Sequence, residues 1–120
     1  MKVENYVTLE FSSRSANEGF ARTAAACFAA QLDPTLEEIN DIKTAVSEAV
    51  TNAIVHAYPD TLGKIVLKLR VRQDNVLEIV VRDWGVGIAD IEQARTPLFT
   101  TGRKGTTVTM RRQIARRLGR

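Results

Sequence analysis

Glu48 and Asn52 stand four residues apart in Ile42-Lys-Thr-Ala-Val-Ser-Glu-Ala-Val-Thr-Asn52. On a helix that spacing stacks two side chains on one face. An ionised Glu there can take a proton from an attacking hydroxyl or water. An Asn carbonyl oxygen is a hard ligand suited to Mg²⁺, which keeps several waters and binds substrate phosphates as well. A second group follows at Asp83-Trp-Gly85-Val-Gly87. Its glycines permit backbone geometry closed to other residues and let a ligand come close. An Asp at a strand end can accept a hydrogen bond from an exocyclic amine such as that of adenine. Either group alone is weak, since exposed helix faces are polar by default and turns favour Asp and Gly. A helix, a hairpin and a glycine loop in that order make a stronger signal.

These residues need elements to hold them. Val7, Leu9 and Phe11 alternate with Thr8 and Glu10, which predicts a strand over Tyr6 to Phe11. Ser15-Ala-Asn-Glu18 and Thr35-Leu-Glu-Glu38 both have the form of a capping box opening a helix. The first helix should run to about Leu32, where Asp33-Pro34 stops it. The second should run to about Ala57 and end at Tyr58-Pro59-Asp60. Its Ile39, Ile42, Val46, Ala49, Val50, Ala53 and Ile54 form one apolar stripe, nearly opposite Glu48 and Asn52. Two strands are expected over Gly63–Arg72 and Val76–Arg82, joined by a Gln73-Asp74-Asn75 turn. A short helix near Asp90–Arg95, broken by Pro97, and a strand over Lys104–Met110 complete the chain. The expected fold is α+β, a two-layer sandwich with helices on one face of a mostly antiparallel sheet.

Composition sets the outer bounds. The 120 residues suit one domain, and 44% hydrophobic with 26% charged residues is ordinary for a globular protein. No apolar run is long enough to span a bilayer and the N-terminus lacks a signal-peptide core, so a cytoplasmic protein is expected. Cys27 has no second cysteine to pair with, and among alanines it reads as a small buried apolar residue. Seven basic and no acidic residues lie from Arg103 onward, although the chain carries 17 basic and 14 acidic residues. No aromatic side chains accompany that charge, so nucleic acid is not the expected partner. Met110, Ile114 and Leu118 recur at helical spacing, which reads as a solvated helix end. His56, one turn beyond Asn52, could sense pH or phosphate, but a structural role near the helix end is the expected one. Trp84 is expected to pack at the pocket rim.

Val46-Ser-Glu-Ala-Val-Thr-Asn-Ala-Ile-Val-His56 resembles the N box of the ATPase superfamily shared by gyrase, the Hsp90 chaperone, histidine kinases and MutL-type repair proteins. Arg82-Asp-Trp-Gly-Val-Gly-Ile88 resembles its G1 box. Phe11-Ser-Ser-Arg-Ser, Phe20-Ala-Arg22, Gln31-Leu-Asp-Pro-Thr35 and Pro97-Leu-Phe-Thr-Thr101 narrow the likeness. They are similar to the anti-sigma factors that hold the forespore sigma factor of endospore-forming bacteria. The likeness runs from residue 5 to 101 and resumes at Lys104-Gly-Thr-Thr-Val108.

That resemblance implies a Bergerat-type (GHKL) ATP-binding domain over residues 1–120, acting as a homodimer. With ATP it would capture sigma factor, and it would phosphorylate a serine of an anti-anti-sigma protein. Glu48 would be the general base. Asn52 would hold Mg²⁺ on the ATP phosphates. Asp83 would receive the adenine amino group, with Gly85, Gly87, Thr101 and Thr106 completing the nucleotide site. Glu18 and Arg22 would meet the protein partners. The chain departs from the family between Thr101 and Lys104, where only Gly102-Arg103 replaces a lid with a second glycine box, a helix and a strand. Such a lid normally offers backbone N–H groups to phosphates. A partner-capturing module without kinase activity is therefore the alternative expectation.

Overall fold

In the computed structural model, residues 2–85 and 105–115 are described. Strand β1 (Val3–Ser12) is followed by helix α1 (Ala16–Ala29), which tightens into a 3₁₀ turn at Ala30–Leu32. Helix α2 (Leu36–Asn52) runs on into a π-helical turn, Ala53–Ala57. Strands β2 (Lys64–Arg72), β3 (Val76–Asp83) and β4 (Thr107–Gln113) complete an antiparallel sheet of order β1-β2-β3-β4. The α+β sandwich expected from sequence is present.

Register explains which side chains meet. Leu9 lies opposite Leu67, and Leu67 opposite Val81. The two-residue period puts Ile65, Leu67 and Leu69 of β2 and Leu77, Ile79 and Val81 of β3 on one face, all buried. Ala21, Ala25 and Ala29 of α1 and Ile42, Val46 and Val50 of α2 cover that face, again fully buried. Both triplets recur every four residues, one helical stripe each. The β2–β3 turn places Asp74 and Asn75 at φ of 64° and 62°. Asn and Asp tolerate that left-handed region better than other side chains.

The same period sends Glu78 to the other sheet face, opposite Arg70 on β2 and Arg111 on β4. Arg70 and Arg72 approach one carboxylate oxygen at 3.0 Å each, and Arg111 approaches the other at 2.8 Å. Only 2% of the Glu78 side chain is exposed. Burial alone would push its carboxyl up, but hydrogen bonds from the three guanidiniums and the charge of Arg72 hold it below the usual value. A carboxyl lowered in the folded state stabilises the fold above its unfolded pKa. That contribution is lost as pH falls through the folded value. Glu78→Ala should cost about 2 kcal/mol at pH 7, below the range for a fully buried pair because the arginines keep solvent contact. Thermal melting should drop by roughly 10 °C, and the gap should narrow in acid. A melting point within 2 °C of wild type, on the scale of about 4–8 °C per kcal/mol, would show the cluster to be energetically idle.

Three sequence expectations are corrected. Ser15 does not cap α1: it sits in the α region at φ −60°, ψ −29° and makes no side-chain cap bond. Glu18, its expected partner, instead accepts a 2.6 Å hydrogen bond from Ser47 on α2. Thr35, extended at φ −71°, ψ 166°, does form the full box with Glu38. Cys27 is exposed, since the buried stripe of α1 passes through Ala25 and Ala29 and leaves position 27 outside. The strand expected to end at Met110 runs on to Gln113, where a helix end was expected; Met110 and Arg112 fall on one sheet face opposite Ile79 and Leu77. Arg112 pairs with Asp41 of α2 at 3.2 Å, and Ile114 is fully buried. No helix of the described residues is long and apolar enough to cross a membrane. The expected helix at Asp90–Arg95, Pro97 and Leu118 lie outside the described residues.

Candidate functional site

Along the exposed face of α2 and its π turn, Glu48, Asn52 and His56 follow at four-residue steps. A rise of 1.5 Å per residue separates neighbours by about 6 Å along the axis. Glu48 and Asn52 are exposed, as the apolar stripe on the opposite face requires.

Asp83 arrives from the sheet. It lies opposite Ile65 and shares the inner face with Val81, so the end of β3 aims it toward the helices. It is 7% exposed. Its backbone N–H donates to the Thr106 carbonyl at 2.9 Å, and its Oδ1 accepts the Thr106 N–H at 3.1 Å. Burial pushes the Asp83 carboxyl up, and hydrogen bonds from the Thr106 and Gly85 N–H groups offset part of that rise.

A cavity of about 310 Å³ opens where these elements meet, lined by Asn52, His56, Asp83 and Thr106 and floored by Ala53 and Val81. Asn52 also borders a groove of about 450 Å³ that runs along α2 past Glu48 to Val108 and Met110 of β4. Small residues make the close approaches possible. A Cβ on Gly85 would lie 2.1 Å from the Ala57 carbonyl oxygen. One on Gly105, at φ +137°, would lie 2.0 Å from the Asp83 carbonyl oxygen. Tyr58 braces the rim, accepting from the Trp84 N–H at 2.8 Å and donating to the Lys64 carbonyl at 2.7 Å. Trp84 is 37% exposed, with the Lys64 ammonium 4.3 Å and the Arg82 guanidinium 4.8 Å from its ring.

The structure therefore brings Asn52, Asp83 and Thr106 to one cavity and sets Gly85 against its wall. Glu48 stands one turn away. Gly87 and Thr101 lie outside the described residues. Glu18 and Arg22 sit on α1, 3.7 Å apart. Arg22 lines a separate hollow of about 290 Å³ with Lys43, Ser47 and Glu48, so the expected partner-binding arginine adjoins the expected base. Sequence reasoning favoured a structural role for His56 over pH or phosphate sensing. Its place in the cavity was implicit in its spacing from Asn52, but the π turn that carries it was not.

The histidine kinase-like ATPase domain family matches residues 11–117. The chain is 57% identical over 101 residues to an anti-sigma F factor of Caldanaerobacter subterraneus subsp. tengcongensis, covering 84% of this chain and 70% of that one. It is 56% identical over 99 residues to an anti-sigma F factor of Geobacillus kaustophilus, covering 82% and 68%. A crystal structure of the RsbU and RsbW domains of a Mycobacterium tuberculosis protein superposes with a TM-score of 0.72 at 25% identity. It matches 94% of this chain, which spans 33% of the larger one.

Proposed function

The chain belongs to the histidine kinase-like ATPase family and, within it, to the anti-sigma F factors, and on that premise we propose that it is an ATP-dependent anti-sigma factor and protein serine kinase. It holds a sporulation sigma factor and transfers phosphate to a serine of an anti-anti-sigma protein, working as a homodimer. The observation that supports this best is the buried Asp83 carboxylate in one cavity with Asn52, with Glu48 one turn further along α2.

The residues present fit an adenine nucleotide and Mg²⁺. Asp83, 7% exposed, offers an acceptor for the adenine amine, and Gly85 and Gly105 let the Ala57 and Asp83 backbones pack closely beside it. Asn52 offers one hard oxygen, which suits a cation that takes its remaining ligands from phosphates and water. When bound, ATP supplies the phosphoryl group and Mg²⁺ neutralises its charge. Glu48, exposed on the groove, accepts the proton of the incoming serine hydroxyl. Arg22, Lys43 and Ser47 border the same carboxylate, and they give the protein substrate polar and cationic groups to dock on. Glu18 is tied to Ser47, which fixes this junction between α1 and α2.

Calorimetric titration with ATP and Mg²⁺ tests the nucleotide reading. Wild type should bind saturably and Asn52→Ala about tenfold more weakly, the scale of one lost charge-assisted contact. With Mg²⁺ withdrawn the two proteins should bind alike. A folded wild-type chain that takes up no ATP would sink the proposal.

A further inference from the structure

Strand β4 is an edge of the sheet, paired with β3 alone among the described residues. Asp83 and Thr106 exchange both backbone hydrogen bonds, at 2.9 and 3.3 Å, and the Ile114 N–H donates to the Asn75 carbonyl at 2.9 Å. Between those points the alternation of an antiparallel ladder turns the N–H and C=O of Thr107, Thr109 and Arg111 away from β3. Such an edge is a template for another strand unless something blunts it. The opposite edge, β1, is blunted by a register irregularity between Val3 and Asn5 and carries Glu4 and Glu10. Strand β4 carries two arginines, but each is held by a carboxylate of its own chain. Glu78 holds Arg111 at 2.8 Å, and Asp41 holds Arg112 at 3.2 Å. Val108, on the inner face, stays 39% exposed beside the groove it lines with Met110, Ala45 and Ala49.

The sequence of this edge is complementary to itself. Two β4 strands paired antiparallel about a two-fold axis at Thr109 set Thr109 opposite Thr109, Thr107 opposite Arg111 and Thr106 opposite Arg112. Val108 falls opposite Met110, so each copy covers the exposed Val108 of the other. No arginine meets an arginine, and like charges directly opposite would be destabilising. Every outward N–H and C=O of Thr107, Thr109 and Arg111 gains a partner in this register. Moving the axis to Met110 sets Val108 against Arg112, and moving it to Arg111 sets two arginines against each other. We infer that the β4 edge is the docking surface for a second copy of this chain, joined through residues 107–111 in the Thr109-centred register as one continuous sheet. Such a contact uses the same patch on both copies, so it closes at two. The inference rests on the homodimer of the reading above and gives it a surface and a register.

The test measures mass by light scattering for wild type, Thr109→Lys and Thr109→Glu, each alone and the two variants in equimolar mixture. Thr109 is exposed and lies opposite Val80 on the sheet face away from the helices, so neither substitution disturbs the core of a single copy. In the dimer the position faces itself, and two like charges meet. Wild type should be dimeric, and each variant alone should dimerise at least about tenfold more weakly. The mixture should dimerise as wild type does, because lysine then faces glutamate, and high salt should weaken that rescue. In wild type, amide exchange at Thr107, Thr109 and Arg111 should slow as concentration rises and the dimer fills. A dimer that neither charge weakens would overturn the β4 contact and leave the homodimer reading standing. A mixture no more dimeric than its components would overturn the register. Exchange at those three amides that ignores concentration, in a wild type shown to dimerise, would overturn the contact without recourse to any variant. A monomeric wild type would overturn this inference and the homodimer reading together.

Discussion

Glu48→Ala is expected to slow phosphoryl transfer to the serine substrate by about 10²–10⁴-fold, the range for removing a general base. ATP affinity should stay within about threefold of wild type, a change below 1 kcal/mol. The separation follows from position. Glu48 lies on the groove side of α2, outside the cavity shared by Asp83, Thr106 and Asn52. Its helix is held by Ile42, Val46 and Val50 on the opposite face, so truncating an exposed side chain leaves the core alone. Glu48→Gln should be as slow as Glu48→Ala, because an amide has no basic oxygen for the serine proton. Transfer of labelled phosphate from ATP to the anti-anti-sigma protein measures the rate, and calorimetry measures the affinity. Full transfer by either variant would remove Glu48 from the mechanism. Loss of ATP binding along with transfer would place it in the nucleotide site instead.

Asp83→Asn is expected to weaken ATP binding by about 30- to 100-fold. That is the scale of one hydrogen bond to a charged group in a dry site, and the new amide nitrogen has nothing to accept the adenine amine with. Its effect on the ligand-free fold should have the opposite sign. Burial raises the Asp83 carboxyl in the folded protein, with hydrogen bonds from Thr106 and Gly85 working against it. A group whose folded pKa lies above its unfolded value favours the fold below the unfolded pKa. That advantage is lost as pH rises through the folded value. At pH 7 the ionised Asp83 therefore costs stability, and Asn, which resembles the protonated acid, should melt at the same temperature or higher. Toward acid, as Asp83 protonates, wild type and variant should converge. A variant that melts well below wild type at pH 7 would mark Asp83 as a structural residue, whose loss of binding follows from a damaged fold.

Sequence alone determined most of the secondary structure and nominated the candidate site residues. Alternation in β1, the apolar stripe of α2 and the Gln73-Asp74-Asn75 turn were legible because each depends on neighbours within a few residues. Glu48, Asn52 and Asp83 were legible because their motifs are compact. What failed was whatever depended on a contact distant in sequence. Ser15 and Thr35 head the same pattern, yet only Thr35 caps its helix; Glu18 bonds Ser47, 29 residues away, and that bond belongs to helix–helix packing. Cys27 looked buried among alanines, but the face that meets α2 is chosen by Ala21, Ala25 and Ala29. Met110 and Ile114 carried a helical period, yet pairing with β3 made the segment through Gln113 a strand, because a backbone that finds a neighbouring ladder gains hydrogen bonds that local propensity cannot match. The Glu78 cluster and the buried Nδ1 of His56, which meets no hydrogen-bond partner among the described residues, belong to the same class. Cross-strand register aligned Arg70 and Arg111 with Glu78. The meeting of α2, β3 and β4 walled His56 into a cavity with Asp83. Local order was set by short-range periodicity and turn chemistry, while desolvation, ion pairing and unmet hydrogen bonds arose only when distant segments came into contact.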